Sequence, residues 1–251
     1  MGPDPTIPPA TCWICGDPAT SGEHGTKRSD LRDAFGAVTQ GNPLFLHNAQ
    51  RRNRRVGSLN AEVLKLPAKL CPHCNNTRTQ PHDLAWEKLS AGLRAWTPTL
   101  RPESIVWPKR IFGADRVREM LNVHLYFVKL FGCHIAGNNI PIDIKGFAAA
   151  IMKGKPHPDV YLKFGCGRLF NGKPLLGMTD MWITPAPPGR LSTFATWFYD
   201  LEFVGINVLY AKPGEKREGL VGAWHPRKGG NSLTMADYRE PLRTRSSNDC
   251  G

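Results

Sequence analysis

Apolar and polar positions change their spacing along the chain, and those changes set the expected elements. Ala19 to His24 reads as a short strand, and Ser29 to Phe35 as one or two helical turns capped by Ser29 or Asp30. Gln40 to Leu59 lacks a period and predicts a long loop, with Gly41, Pro43, Gly57 and an arginine cluster. Glu62 to Leu66 partly alternates and predicts a second strand. Asn75 to Thr79 starts a helix that Pro81 interrupts, and from Asp83 to Trp96 the residues Leu84, Trp86, Leu89, Leu93 and Trp96 form one apolar face.

Prolines 98, 102 and 108 punctuate the next stretch, the best place for a boundary. Ala114 to Ala136 is apolar on most sides and predicts a central, buried helix, followed by a shorter one over Asp143 to Lys153. Strand-like runs follow at Val160–Phe164, Met178–Thr184, Ser192–Phe198, Phe203–Ala211 and Leu220–Trp224, separated as in an antiparallel meander. Helices followed by strands indicate an α+β fold. The expected organisation is a proline-rich leader over 1–10, a small unit over 11–100, a larger helix-plus-antiparallel-sheet domain over 101–238, and a disordered polar tail over 239–251.

Composition narrows the classes. Of 251 residues, 41% are hydrophobic and 22% charged, and mean hydropathy is −0.35. No apolar run approaches the roughly 18 residues of a membrane span, and no signal peptide is visible, so a cytoplasmic location without a membrane partner is expected. The net charge of +12 favours a polyanionic partner, because Lys and Arg replace condensed counterions. Its placement says more: from Gly41 to Thr79 seven basic residues (Arg51, Arg52, Arg54, Arg55, Lys65, Lys69 and Arg78) face one acid, Glu62.

The chemistry concentrates in the same segment. Cys12-Trp13-Ile14-Cys15 and Cys71-Pro72-His73-Cys74 form two C-x-x-C knuckles about sixty residues apart. In a chain without an export signal, such pairs point to metal rather than disulfides. Four thiolates complete a tetrahedral zinc site with no open position, so this zinc is expected to be structural. Gly16 follows the first knuckle, where the turn calls for a residue free to take positive φ. Cys133, Cys166 and Cys250 have no such partners and read as two buried thiols and a tail thiol.

Enclosed by the knuckles is Glu23-His24, and Asn75 follows the last cysteine. Phosphodiester hydrolysis needs a base for water and a cation to offset phosphate charge. His24 can be the base, while Glu23 and Asn75 can hold a hard divalent ion, Mg²⁺ above all. Asn75 is equally suited to cap a helix. His82-Asp83 could supply a further ligand, although capping or surface exposure explains it better.

Knuckle, acid–His pair, then C-x-x-C-N resembles the HNH, or ββα-metal, nuclease superfamily, in particular its four-cysteine branch typified by recombination endonuclease VII. The resemblance covers about residues 11–96. It implies a hairpin and a helix around one catalytic metal, with His24 as general base and Glu23 and Asn75 as ligands. The sequence departs from the pattern in three ways: Glu stands where Asp is commoner, the pattern's middle Asn is replaced around Lys65-Leu66, and the segment from His24 to Cys71 is long.

In that setting Arg51, Arg52, Arg54 and Arg55, with Lys65 and Arg78, would grip the backbone of DNA, or of RNA, without reading bases. A solvated loop explains the arginines equally well. Residues 109–238 show no catalytic constellation; His124 and His134 read as core histidines, and nothing sets an oligomeric state. The expected function is a metal-dependent endonuclease. The alternatives are a non-catalytic zinc module binding nucleic acid or protein, or an assembly protein stapled by its knuckles.

Overall fold

The computed structural model describes residues 10–47, 52–167, 169–170, 173–215 and 218–238. The expected leader up to residue 9, Arg51 and the expected tail with Cys250 lie outside them.

The first knuckle is closed by a bridge between Thr11 and Pro18, and Gly16 takes φ 85°, the left-handed conformation its turn requires. The chain then enters strand β1 (Ser21–His24) and helix α1 (Arg28–Phe35). The expected loop over 40–59 holds a small hairpin, β2 (Leu44–Leu46) with β3 (Arg54–Val56). Three residues per strand leave no periodicity to read in sequence, but Leu44 and Val56 pair and are both buried.

Strand β4 (Lys65–Leu70) begins one short turn later than expected and runs antiparallel to β1, with Ser21 opposite Leu70 and His24 opposite Lys65. The register slips between Gly22 and His24. The slip lies across from Pro67, which has no N–H to give the ladder. Helix α2 (Gln80–Trp96) starts earlier than Asp83, because Pro81 sits in its first turn, where a missing N–H costs nothing.

After β5 (Ile105–Val106) and the one-turn α3 (Lys109–Phe112) comes α4 (Arg116–Asn138), the long helix expected near 114–136. Helix α5 (Ile144–Lys153) is capped by Asp143, whose carboxylate accepts from the Lys145 N–H. Strands β6 (Val160–Cys166), β7 (Leu169–Phe170), β8 (Lys173–Met178), β9 (Trp182–Ile183), β10 (Phe194–Glu202) and β11 (Val204–Ala211) follow, then β12 (Leu233–Thr234) and β13 (Ala236–Asp237). The main sheet has the order β13-β6-β11-β10-β8-β7, with β9 also on β10. Its pairs are antiparallel except β13 on β6. Leu220–Trp224 is not a strand: it contributes a short turn and one bridge, from Trp224 to Leu162. The protein is α+β, with helices, antiparallel strands and a four-cysteine cluster near its N-terminal end.

Helix α4 lies between the β1–β4 hairpin and α2 on one side and the sheet on the other, and one cluster of buried residues runs from Cys12 to Met235. Its aromatic centre joins all three layers. Trp86 of α2 stacks on Tyr126 of α4 at 5.5 Å and meets Tyr199 of β10 edge-on at 5.3 Å. Trp13 lies so close to Gly132 that a Cβ there would come within 2.2 Å of its ring, and its indole N–H donates to Cys133 Sγ at 3.4 Å. Trp13 and Trp86 therefore pack around this core. Among the described residues no helix is long and apolar enough to cross a membrane.

Candidate metal centre and the hairpin beside it

The four cysteines converge. The sulfurs of Cys12, Cys15, Cys71 and Cys74 all lie within 4.8 Å of one another, and Cys15 and Cys71 are 3.5 Å apart. Around a tetrahedral zinc with Zn–S bonds of about 2.3 Å, sulfurs stand about 3.8 Å apart, so the cluster can hold a metal ion such as zinc. The surroundings suit thiolates: the Cys74 N–H donates to Cys71 Sγ at 3.3 Å and Arg78 Nη1 to Cys74 Sγ at 2.9 Å. Arg78, expected on a nucleic-acid backbone, thus gives one of its donors to the cluster. His73 is exposed and is not part of the four-sulfur cluster.

The second knuckle opens into a widened helical turn over His73–Arg78, in which the Thr79 N–H reaches back five residues to the Cys74 carbonyl. That turn carries Asn75 against β1. Its Nδ2 donates to Ser21 Oγ at 2.7 Å and lies 3.4 Å from the Gly22 carbonyl, which can only accept and so fixes which way the amide faces. Asn75 Oδ1 is left buried without a partner. A cap would accept from a backbone N–H; this oxygen accepts from nothing.

His24 stands at the other end of β1. Its Nε2 meets the Leu59 carbonyl at 2.8 Å, and since a carbonyl only accepts, Nε2 carries the ring proton and Nδ1 keeps its lone pair. Burial draws the pKa of His24 below its ordinary value; the Leu59 carbonyl opposes this, and nearby Arg28, Lys65 and Lys27 add to it. The ring is therefore neutral at pH 7.

Glu23 goes elsewhere. It is buried, and its carboxylate lies 3.0 Å from Lys129 Nζ, in the middle of α4. Lys129 is fully buried and also pairs with Asp83 at 2.8 Å; Asp83 in turn meets Lys27 at 3.3 Å. Burial works to discharge Lys129, but the charges of Glu23 and Asp83 outweigh it and hold its pKa above the ordinary value. The carboxylate expected to hold a divalent ion thus holds an ammonium group. His82, too, is buried, with Nδ1 3.1 Å from Asn122 Oδ1, rather than capping or exposed.

Of the ligands expected for a hard divalent ion, only Asn75 Oδ1 is left without a partner. Mg²⁺ is ordinarily held through one or two carboxylates and several waters, so this one buried amide oxygen does not by itself make a site for it. Of the expected basic contacts, Lys65 pairs with Glu62 at 2.5 Å, Arg55 donates to the Gln40 carbonyl, and Arg52 and Arg54 are exposed on or beside the β2–β3 hairpin.

Two groups escaped the sequence reading. Lys129 had a signal: a lone charge between Val128 and Leu130 in an apolar helix calls for a buried counter-charge. Asp30 had none. It is fully buried and accepts from Trp86 Nε1, Ser90 Oγ, Arg94 Nη1 and Tyr199 O–H at 2.8–2.9 Å, tying α1 to α2 and the sheet. Compared with known proteins, the chain matches no family model, no curated protein and no solved structure.

Proposed function

We propose that the protein is a metal-dependent endonuclease of the HNH type that hydrolyses phosphodiester bonds of DNA, with His24 as general base. The observation that carries this reading is the bond from His24 Nε2 to the Leu59 carbonyl, which aims a neutral imidazole with a free Nδ1 lone pair. The zinc-competent cluster at the far end of the same hairpin and the orphaned Asn75 oxygen beside β1 support it.

His24 Nδ1 takes a proton from a water as that water's oxygen bonds to phosphorus. The bond to the leaving oxygen breaks, and solvent supplies the proton that oxygen needs. Mg²⁺ would be held chiefly by the substrate phosphate and waters, with at most Asn75 Oδ1 from the protein, and would offset charge on the phosphate. Zinc in the four-cysteine cluster would hold the hairpin and α2 together and take no part in the chemistry. Glu23 is assigned to the fold, not to the ion.

Plasmid nicking with Mg²⁺ tests the assignment. His24→Ala should lower the rate at least about 100-fold, the ordinary share of a general base, with zinc content unchanged. Cleavage at the wild-type rate would end it. One observation favours a second reading, a zinc module that binds nucleic acid without cutting it: Lys129 already neutralises Glu23. Salt-dependent binding with an uncut substrate would decide for that reading.

A further inference from the structure

Beside His24 the surface opens into a cleft of about 590 Å³, within the usual size range of small-molecule pockets. It is bounded by α1, the β2–β3 hairpin, the start of β4, the C-terminal end of α4 and the end of β8. Two features set it apart from an ordinary groove. Phe35 and Phe45 stand on its rim 47% and 56% exposed, and nothing in the core requires them there. At its wall is His134, only 6% exposed, with a ring Nε2 that has no hydrogen-bond partner.

Exposed phenylalanines over a cleft are a surface on which flat aromatic groups stack. The charge fits one flat group above others. Arg54, exposed, lies across from Leu46 on the same hairpin, and Arg55, which also donates to the Gln40 carbonyl, lies across from Phe45. Lys65, paired with Glu62, lines the cleft together with one acid, Asp180. Cations that follow a phosphate backbone, next to aromatic faces, match a single nucleic-acid strand with its bases turned out.

We infer that this cleft receives an unpaired base of a DNA strand, stacked at Phe45 and Phe35, while the hairpin arginines hold the flanking phosphates. The inference rests on the nucleic-acid reading above and narrows its substrate to DNA with unpaired nucleotides. A base seated there lies next to the hairpin end that carries His24, since Gly25 and Thr26 line the same cleft.

The test uses the full zinc-loaded chain and fluorescence anisotropy in magnesium-free buffer, so that binding is read apart from cleavage. The probes are a dye-labelled single-stranded oligodeoxynucleotide, the same strand with central abasic sites, its duplex, and an RNA strand of the same sequence. The intact DNA strand should bind about ten-fold more tightly than the abasic strand. Phe45→Ala should weaken intact-strand binding about five-fold or more and leave duplex and abasic strand unchanged. Phe45 is more than half exposed, so the variant keeps its fold.

Equal affinity for intact and abasic strands, or a Phe45→Ala loss shared by every probe, overturns the inference; tighter binding of RNA overturns its assignment to DNA. Base-dependent binding without cleavage in Mg²⁺ defeats only the nuclease reading. Cleavage without base dependence defeats only the cleft.

Discussion

The β1–β4 hairpin is fastened in two places, by four sulfurs where β1 begins and by the Lys129 charge cluster at Glu23. Both ties bring distant segments together, but they do so by different physics. The sulfurs lie within 4.8 Å of one another, close enough for a single ion to bind them all. At Glu23 no metal is needed: Lys129 offsets Glu23 and Asp83, and Lys27 adds a second ammonium at the edge. A metal cluster can supply folding free energy outright, whereas a buried ion pair mainly excludes alternatives, because desolvation cancels much of its attraction.

Breaking the sulfur tie should have the largest effect. Cys74→Ser should abolish stoichiometric zinc and unfold the segment around both knuckles, a loss of the order of 10 kcal/mol, visible in metal content and near-ultraviolet circular dichroism. A folded, zinc-free variant would show that the sulfurs pack well enough without metal.

Breaking the other tie should cost less. Lys129→Met strands two buried carboxylates and should lower stability by about 3–5 kcal/mol in urea unfolding of the zinc-loaded protein. Adding Glu23→Gln should recover part of that. Full stability in the single variant would mean that water already reaches the cluster.

A mild acid step adds a third contribution, from buried histidines, to the competition from protons that a zinc-loaded cluster of thiolates meets as pH falls. His82, His134 and His157 are held by burial at pKa values of about 4, well below the ordinary 6.5. The unfolded chain therefore binds more protons than the native one in this window, so their contribution is present above pH 6.5 and is lost as pH falls towards 4. Together they should remove about 2 kcal/mol between pH 7 and pH 6, measured by urea midpoints. Rising stability on acidification would contradict their neutrality.

The smallest effect is expected where no tie is touched. Arg52→Ala and Arg54→Ala should each change stability by less than about 0.5 kcal/mol. Each should also reduce the salt dependence of DNA binding by about one unit of slope. An unchanged slope would place the strand elsewhere.

The same contrast explains what could be read from sequence. The sulfur tie was legible because its ligands come as two short repeats whose spacing is the chemistry itself. The charge tie was not, because residues 23, 27, 83 and 129 meet only once α4 has docked. Helices α2, α4 and α5 and most sheet strands were visible in their apolar spacing. The β2–β3 hairpin was too short to show a period, and Leu220–Trp224 had the composition of a strand but only one bridge. At the hairpin, the types of Glu23, His24 and Asn75 were plain. Their directions depended on a register slip opposite Pro67 and on Lys129, neither of which spacing alone announces.

The position of α4 also bears on how such a unit can be handled or inherited. A zinc-stapled hairpin and helix would ordinarily be a portable part, able to be cut out, expressed alone or joined to a new neighbour. Here Leu70, Trp86, Leu89 and Leu93 are covered within a core that includes α4, and Glu23 closes on Lys129 of that helix. A fragment ending near residue 100 would carry its staple but present a bare apolar face and two stranded carboxylates. The unit is thus bound to its own second half, and any useful rearrangement of this chain has to carry α4 along.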